Sequence, residues 1–193
     1  MNLIEALATI FGLLCVWLTT RQNVWCWPTG LVQVFLYIFV FYDAKLYSDM
    51  ILHIIYVVMQ IYGWYHWLHG GENAATLKVS ILGKRIAAWI LVAIAGSVIG
   101  GFFMYHFTDA AAPFADAFIA SSSLVAQWLM TRKNIESWYF WIAVDIIAIG
   151  VYWYKGLYFT VGLYTLFLVL CIIGLRKWQQ SLREITTTPA VAL

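Results

Sequence analysis

A few side chains in this sequence could do chemistry because of where they sit. Three amides (Gln33, Gln60 and Gln127), one carboxylate (Asp145), His53 and the run Ser121-Ser122-Ser123 lie inside long apolar stretches. An ionisable or amide group in hydrocarbon is costly, so it faces a cavity or a partner. Helical spacing sorts these groups onto faces. His53, Tyr56, Gln60, Trp64 and Trp67 recur at i+3/i+4 and make one polar and aromatic stripe. Trp138, Trp141, Asp145, Ala148 and Tyr152 make a second, Ser123 and Gln127 share a face, and Gly30, Gln33 and Tyr37 form a further line. Such stripes could enclose a planar, polar molecule, with amides binding a carboxamide or hydroxyls and indoles stacking on a ring or a cation. The candidate binding residues are Gln33, Tyr37, Gln60, Trp64, Ser123, Gln127, Trp141 and Asp145. Plainer readings stand beside these. The glutamines could be glue between helices. Trp and Tyr also collect at membrane interfaces, the place expected for Trp17, Trp25, Trp27, Trp67, Trp89, Trp128, Trp138 and Trp178. Trp64 and Trp141 lie a turn deeper, where both readings stay open. Asp145, halfway along its stretch and out of reach of water, is the leading functional candidate.

Catalysis finds little support. The chain has no His-Glu-x-x-His, no Gly-x-Ser-x-Gly and no intramembrane pair of acids. His66 and His69 are spaced i,i+3, but no Cys or carboxylate partner is evident for them, so an interfacial role is expected and no metal site. Cys15, Cys26 and Cys171 are odd in number and scattered, which gives neither a disulfide framework nor a Cys-x-x-Cys motif. No cofactor is expected.

The composition sets the environment for these residues. The 193 residues are 64% hydrophobic and 10% charged, against about 45–50% and about 25% in soluble domains. In water this chain would expose large apolar patches and aggregate. A net charge of +2 gives no reason to expect a nucleic-acid partner. An all-α integral membrane protein is expected, since the apolar runs are continuous and do not alternate as barrel strands do. Spanning takes about 20 apolar residues, and seven stretches qualify: 3–19, 27–42, 50–68, 86–106, 113–130, 137–153 and 157–175. Met1-Asn2-Leu3-Ile4-Glu5 has no basic n-region, so the first stretch reads as a span and not a cleaved signal. Arg21, Lys78, Lys84, Arg85, Arg132, Lys133, Arg176, Lys177 and Arg183 fall on one side, with Lys45 and Lys155 on the other. That asymmetry puts the N-terminus outside and the C-terminus in the cytosol.

The sequence also repeats itself. At an offset of 111 residues, Thr20-Arg21-Gln22-Asn23 through Trp27 falls on Thr131-Arg132-Lys133-Asn134 through Trp138 without a gap. Trp17 falls on Trp128, Leu46-Tyr47 on Leu157-Tyr158, Gly63 on Gly174 and Trp67 on Trp178. Two parallel three-helix repeats joined by a linker helix are expected, a 3+1+3 plan. The divisions are 1–68 for the first repeat, 69–112 for a cytosolic loop and linker helix, 113–179 for the second repeat and 180–193 for a disordered tail. Such repeats favour a site between the halves near the midplane. Arg-x-Asn at both turns reads best as a cap and anchor. Gly96 and Gly100 give the linker helix a small-xxx-small face for close packing.

These residues resemble a known family. Gln60-Ile-Tyr-Gly-Trp64-Tyr-His-Trp67, Ala126-Gln127-Trp128, Arg132-Lys133-Asn134, Glu136-Ser-Trp138 and Tyr154-Lys155-Gly156-Leu157-Tyr158 look like the motifs of the PnuC-type nicotinamide riboside transporters. The resemblance covers residues 1–180. SWEET sugar carriers share the 3+1+3 plan, but their Pro-Gln motifs are missing. Related vitamin carriers take thiamine or riboflavin. The resemblance implies an inner-membrane protein that takes up nicotinamide riboside by facilitated diffusion and alternating access, with a cytosolic kinase trapping the product. It also leaves room for a homo-oligomer, a trimer included. It implies that Asp145 offsets the pyridinium charge, that Trp64 and Trp141 stack, and that Gln33, Gln60 and Gln127 bind amide or hydroxyls.

Overall fold

A computed structural model describes residues 3–43, 45 and 47–187. Seven α-helices follow in order: α1 Leu3–Thr20, α2 Cys26–Asp43, α3 Tyr47–His69, α4 Ile86–Phe107, α5 Pro113–Thr131, α6 Ser137–Tyr154 and α7 Tyr158–Thr187. The described residues form no strand, only an isolated parallel bridge between Ser80 and Asn134. Pro113 opens α5 at a position where its missing N–H costs nothing. The helices match the expected stretches to within a few residues, except that α7 continues to Thr187. The tail expected from residue 180 is therefore helical at its start, with Gln22 Nε2 donating to Ser181 Oγ at 2.8 Å; residues 188–193 lie outside the described residues.

Four helical segments are long and apolar enough to cross a membrane: Leu3–Thr20, Cys26–Asp43, Gly83–Phe107 and Tyr158–Glu184. Helices α3, α5 and α6 are of similar length, and α3 and α5 are less apolar than α1 and α2. Helix α4 packs on α5. A Cβ on Gly96 would strike Ser121, and one on Gly101 would strike Phe114; Ser121 Oγ donates across the gap to Ala93 O at 2.9 Å. Small residues let these two backbones approach closely.

Local geometry recurs 111 residues apart. Gln22 and Lys133 both take left-handed backbone, with φ of 55° and 54°. Asn23 N donates to Leu18 O, and Asn134 N to Leu129 O, each at 3.0 Å. Arg21 covers the Trp17 ring as Arg132 covers Trp128. Lys45 and Gly156 are also paired in left-handed conformation. Contacts between helices recur too: α1 meets α7, and α3 meets α5.

Four tryptophans join the bundle at the end where these turns lie. Trp27, Trp67, Trp138 and Trp178 are at most 3% exposed, so they are core and do not belong to the interfacial belt expected of them. Trp17 and Trp25 remain exposed. Trp27 meets Trp67 edge-on, Trp67 meets Trp178, and Trp178 meets Trp138, with centroids 5.2 to 5.8 Å apart. Trp67 Nε1 donates to Met130 O and Trp178 Nε1 to Thr19 O, both at 3.0 Å. The donors and the acceptors are again 111 apart. Trp27 sits against Gly63, and Trp138 against Gly174, where a Cβ would overlap the ring.

A strap, residues 77–83, crosses the α5–α6 turn at the same end. Lys133 Nζ donates to Leu77 O at 2.9 Å and lies over the Trp67 ring. Asn134 Nδ2 donates to Ser80 Oγ, and Leu82 N and Gly83 N donate to Glu136 Oε1. Burial pushes the Lys133 ammonium down to about 8 from 10.5, because a charge is costly away from water.

Gly63→Ala and Gly174→Ala are each expected to destabilise the protein by about 1–3 kcal/mol through overpacking, measured as a lowered unfolding midpoint in detergent. Lys133 makes the folded state bind fewer protons than the unfolded chain between about pH 8 and 10.5, so its contribution to stability rises with pH across that window. Lys133→Gln, which copies Gln22, is expected to remove that rise in thermal unfolding measured at pH 7.5 and 10.

A cavity between the helices

Helices α1, α2, α3, α5, α6 and α7 enclose a cavity of about 320 Å³, within the range of small-molecule sites. It runs along α3 from Asp49 through His53, Tyr56 and Gln60 to a floor of Trp27, Trp138, Thr19 and Met130. Asp49 is exposed, whereas the floor residues are all buried. The cavity is thus closed at the tryptophan end.

Glycines bring the amides of the first three helices inward. A Cβ on Gly12 would stand 2.9 Å from Gln33 Nε2, and one on Gly30 would overlap the Gln60 amide. On the opposite wall α5 presents Ser123 and Gln127, and α6 presents Trp141, Val144 and Asp145. Tyr56 Oη and Ser123 Oγ are hydrogen-bonded at 2.6 Å across the α3–α5 contact. Toward the open end His53 packs among Tyr37, Phe41 and Tyr56, with centroids 4.8 to 5.7 Å away, while Tyr152 and Tyr164 pack on each other from the other side.

Six of the eight residues singled out in the sequence line this space: Gln33, Gln60, Ser123, Gln127, Trp141 and Asp145. Tyr37 stands behind the lining, stacked on Phe41 and 3.5 Å from Thr9 Oγ1. Trp64 is 38% exposed and is not among the lining residues. His66 and His69 belong to no metal-binding cluster among the described residues. Asp116, in the first turn of α5, pairs with Lys155 at 3.0 Å.

Tyr164, Phe167 and Cys171 were missed, although the repeat contained the signal. Moving the stripe His53, Tyr56, Gln60 forward by 111 lands on these three lining residues, and moving Trp67 lands on Trp178. Most of the lining falls into such pairs: Gln33 with Val144, Val34 with Asp145, Phe41 with Tyr152, Val16 with Gln127. Of the pairs, only Trp27 and Trp138 have the same residue on both sides. The frame repeats and the lining does not.

Buried polar atoms without partners show where a guest is wanted. Gln60 Oε1, Asp145 Oδ2, Trp27 Nε1 and Trp138 Nε1 belong to lining residues, are themselves buried and have no hydrogen bond, which costs about 1–3 kcal/mol per buried group. The cavity lining contains Asp49 and Asp145 but no lysine or arginine. The site can bind a molecule that is flat, rich in hydrogen-bonding groups and cationic or neutral. It lacks the partners to neutralise an anion.

A polar cavity between the helices of a membrane protein is the layout that a carrier needs. Comparison with known proteins supplies the family. The chain matches the nicotinamide mononucleotide transporter family over residues 2–180 and belongs to it. It is 28% identical to the nicotinamide riboside transporter PnuC of Escherichia coli, over 94% of this chain and 87% of that one. The PnuC of Neisseria mucosa is 30% identical, over 94% and 73%. The riboflavin/roseoflavin transporter RibM of Streptomyces davaonensis is 27% identical, over 90% and 83%. The crystal structure of the vitamin B3 transporter PnuC superposes with a TM-score of 0.73 at 25% identity, covering 94% of this chain and 82% of that one. The chain is a multi-pass membrane transporter and not an enzyme.

Asp145→Asn removes the charge of a buried carboxylate whose Oδ2 has no hydrogen bond. It is expected to raise stability by about 1 kcal/mol, or about 2–4 °C in the unfolding midpoint of a chain this size, measured by thermal unfolding without ligand.

Proposed function

We propose that the protein carries nicotinamide riboside into the cell by facilitated diffusion, binding it in the cavity between the helices and exposing it to each side in turn. The observation that carries this reading is the lining: amides, aromatic faces and two carboxylates, with no lysine or arginine. Nicotinamide riboside is a flat pyridinium cation with a carboxamide and ribose hydroxyls. Asp145 offsets its charge, Trp141 stacks on the ring, and Gln33, Gln60, Gln127 and Ser123 bind amide or hydroxyls; Tyr37 supports the wall, and Trp64 contacts lipid. A phosphorylated nucleotide brings negative charge into a site with nothing to meet it. The cargo named for the PnuC relatives fits this lining better than the mononucleotide in the family's description.

The accompanying architecture is seven spans in a 3+1+3 plan, with α4 as linker, in an inner membrane. The basic turns and the tryptophan end face the cytosol, and the cavity faces outward. A cytosolic kinase then traps the riboside as its phosphate. The similarity to RibM favours riboflavin as a second reading.

Calorimetry of the purified protein against nicotinamide riboside, nicotinamide mononucleotide, thiamine, riboflavin and sucrose tests the reading. Nicotinamide riboside is expected to bind at least tenfold more tightly than the mononucleotide. Gln60→Ala and Asp145→Asn are each expected to weaken it about tenfold or more, about 1.4 kcal/mol per factor of ten, with the protein still folded. Riboflavin binding alone establishes the second reading, and tight sucrose binding or no vitamin binding ends both.

A further inference from the structure

The two turns at the tryptophan end are alike in backbone but held to different degrees. The α5–α6 turn is clamped to the strap by Lys133 Nζ to Leu77 O, Asn134 Nδ2 to Ser80 Oγ, and Glu136 Oε1 accepting from Leu82 N and Gly83 N. Two backbone bonds add to these, Ser80 N to Lys133 O and Ile135 N to Ser80 O, and Leu77 N reaches back to Trp67 O on α3. Lys133, Asn134, Ile135 and Glu136 are all buried. In the α1–α2 turn Arg21, Asn23 and Trp25 are exposed. Between α1 or its turn and α7, Trp178 Nε1 donates to Thr19 O and Gln22 Nε2 to Ser181 Oγ. The counterpart of the first, Trp67 Nε1 to Met130 O, lies on the strapped side, so the strap is what differs.

To let cargo leave past the floor, the α1–α7 contact or the α3–α5 contact must part. We infer that the tryptophan end opens on one side only, by the α1–α2 turn parting from α7 at Thr19–Trp178 and Gln22–Ser181, while the strap keeps α3 and the α5–α6 turn together as one body. Trp27, on α2, leaves with the moving side, and Trp138 stays with the strapped side. The inference rests on the transport reading, because it assigns the motion which that reading requires. It assigns different roles to side chains at equivalent positions: Gln22 is a releasable contact and Lys133 a permanent one.

A short bifunctional thiol reagent tests this on the full chain in proteoliposomes, using Q22C/S181C for one contact and S80C/N134C for the other, with the single-cysteine variants as controls. Two readouts are taken: uptake of nicotinamide riboside, and labelling of the native Cys26 by N-ethylmaleimide, located by peptide mass. Cys26 is 2% exposed at the closed end, so its labelling reports opening without any cargo. Linking positions 22 and 181 is expected to lower uptake and Cys26 labelling at least tenfold, reversibly on reduction. Linking 80 and 134 is expected to leave both within twofold of the unlinked protein. Gln22→Ala, which needs no linkage, is expected to speed Cys26 labelling several-fold, and Ser80→Ala to leave it unchanged. Labelling that survives the 22–181 link, or that falls with the 80–134 link, overturns the inference. Absent uptake of nicotinamide riboside by the unmodified protein counts against the transport reading, and the labelling experiment still decides this one.

Discussion

The crossed hydrogen bonds of Trp67 and Trp178 are the constraint on which the rest of the bundle depends. Trp67 on α3 reaches a carbonyl at the end of α5, and Trp178 on α7 reaches a carbonyl at the end of α1. Between non-contiguous helices in hydrocarbon there is little hydrophobic driving force, so packing and a few hydrogen bonds do the joining. The four rings also seal one end of the space that the helices surround. Gly63 and Gly174 make room for Trp27 and Trp138, so the seal is as sensitive to an added methyl group as a soluble core would be.

From that joint the cavity follows. Helices held together at one end by large rings leave room farther along, and the residues facing that room are chosen for chemistry. Polar atoms stay unpaired there, at a stability cost that an all-apolar bundle would avoid. The rings pack tightly at the closed end, and unsatisfied groups lie both there, on Trp27 and Trp138, and farther along, on Gln60 and Asp145. This is the usual exchange of stability for function at a binding site.

Much of this was legible in the sequence, for reasons that differ by element. Helix boundaries were readable because apolar runs end at chemically distinct turns, as at Arg21-Gln22-Asn23 and Arg132-Lys133-Asn134. Gln60 and Asp145 were readable because a polar group in an apolar run needs an explanation. Trp27 and Trp138 were not, because an indole near a helix end has the same sequence appearance in a lipid belt or in a core; only the partner across the bundle distinguishes them. The strap was invisible because its bonds join Leu77 and Ser80 to residues more than fifty positions away, largely through backbone atoms that carry no sequence signal. Trp64 shows the converse: a stripe at perfect helical spacing is wider than the cavity it borders, so its edge residue faces outward.

The unequal lining within a repeating frame has one more consequence. A cavity with identical walls would accept a lopsided molecule in two orientations of equal energy, turned half a revolution about the axis relating the halves. With Val34 opposite Asp145, and Gln60 opposite Cys171, those two poses differ in charge and in hydrogen bonding. A guest with one charged end and one hydroxyl-rich end therefore has a single best pose and carries that polarity with it through the protein. The recurring frame supplies the walls, and the differences between paired positions supply the sense of direction.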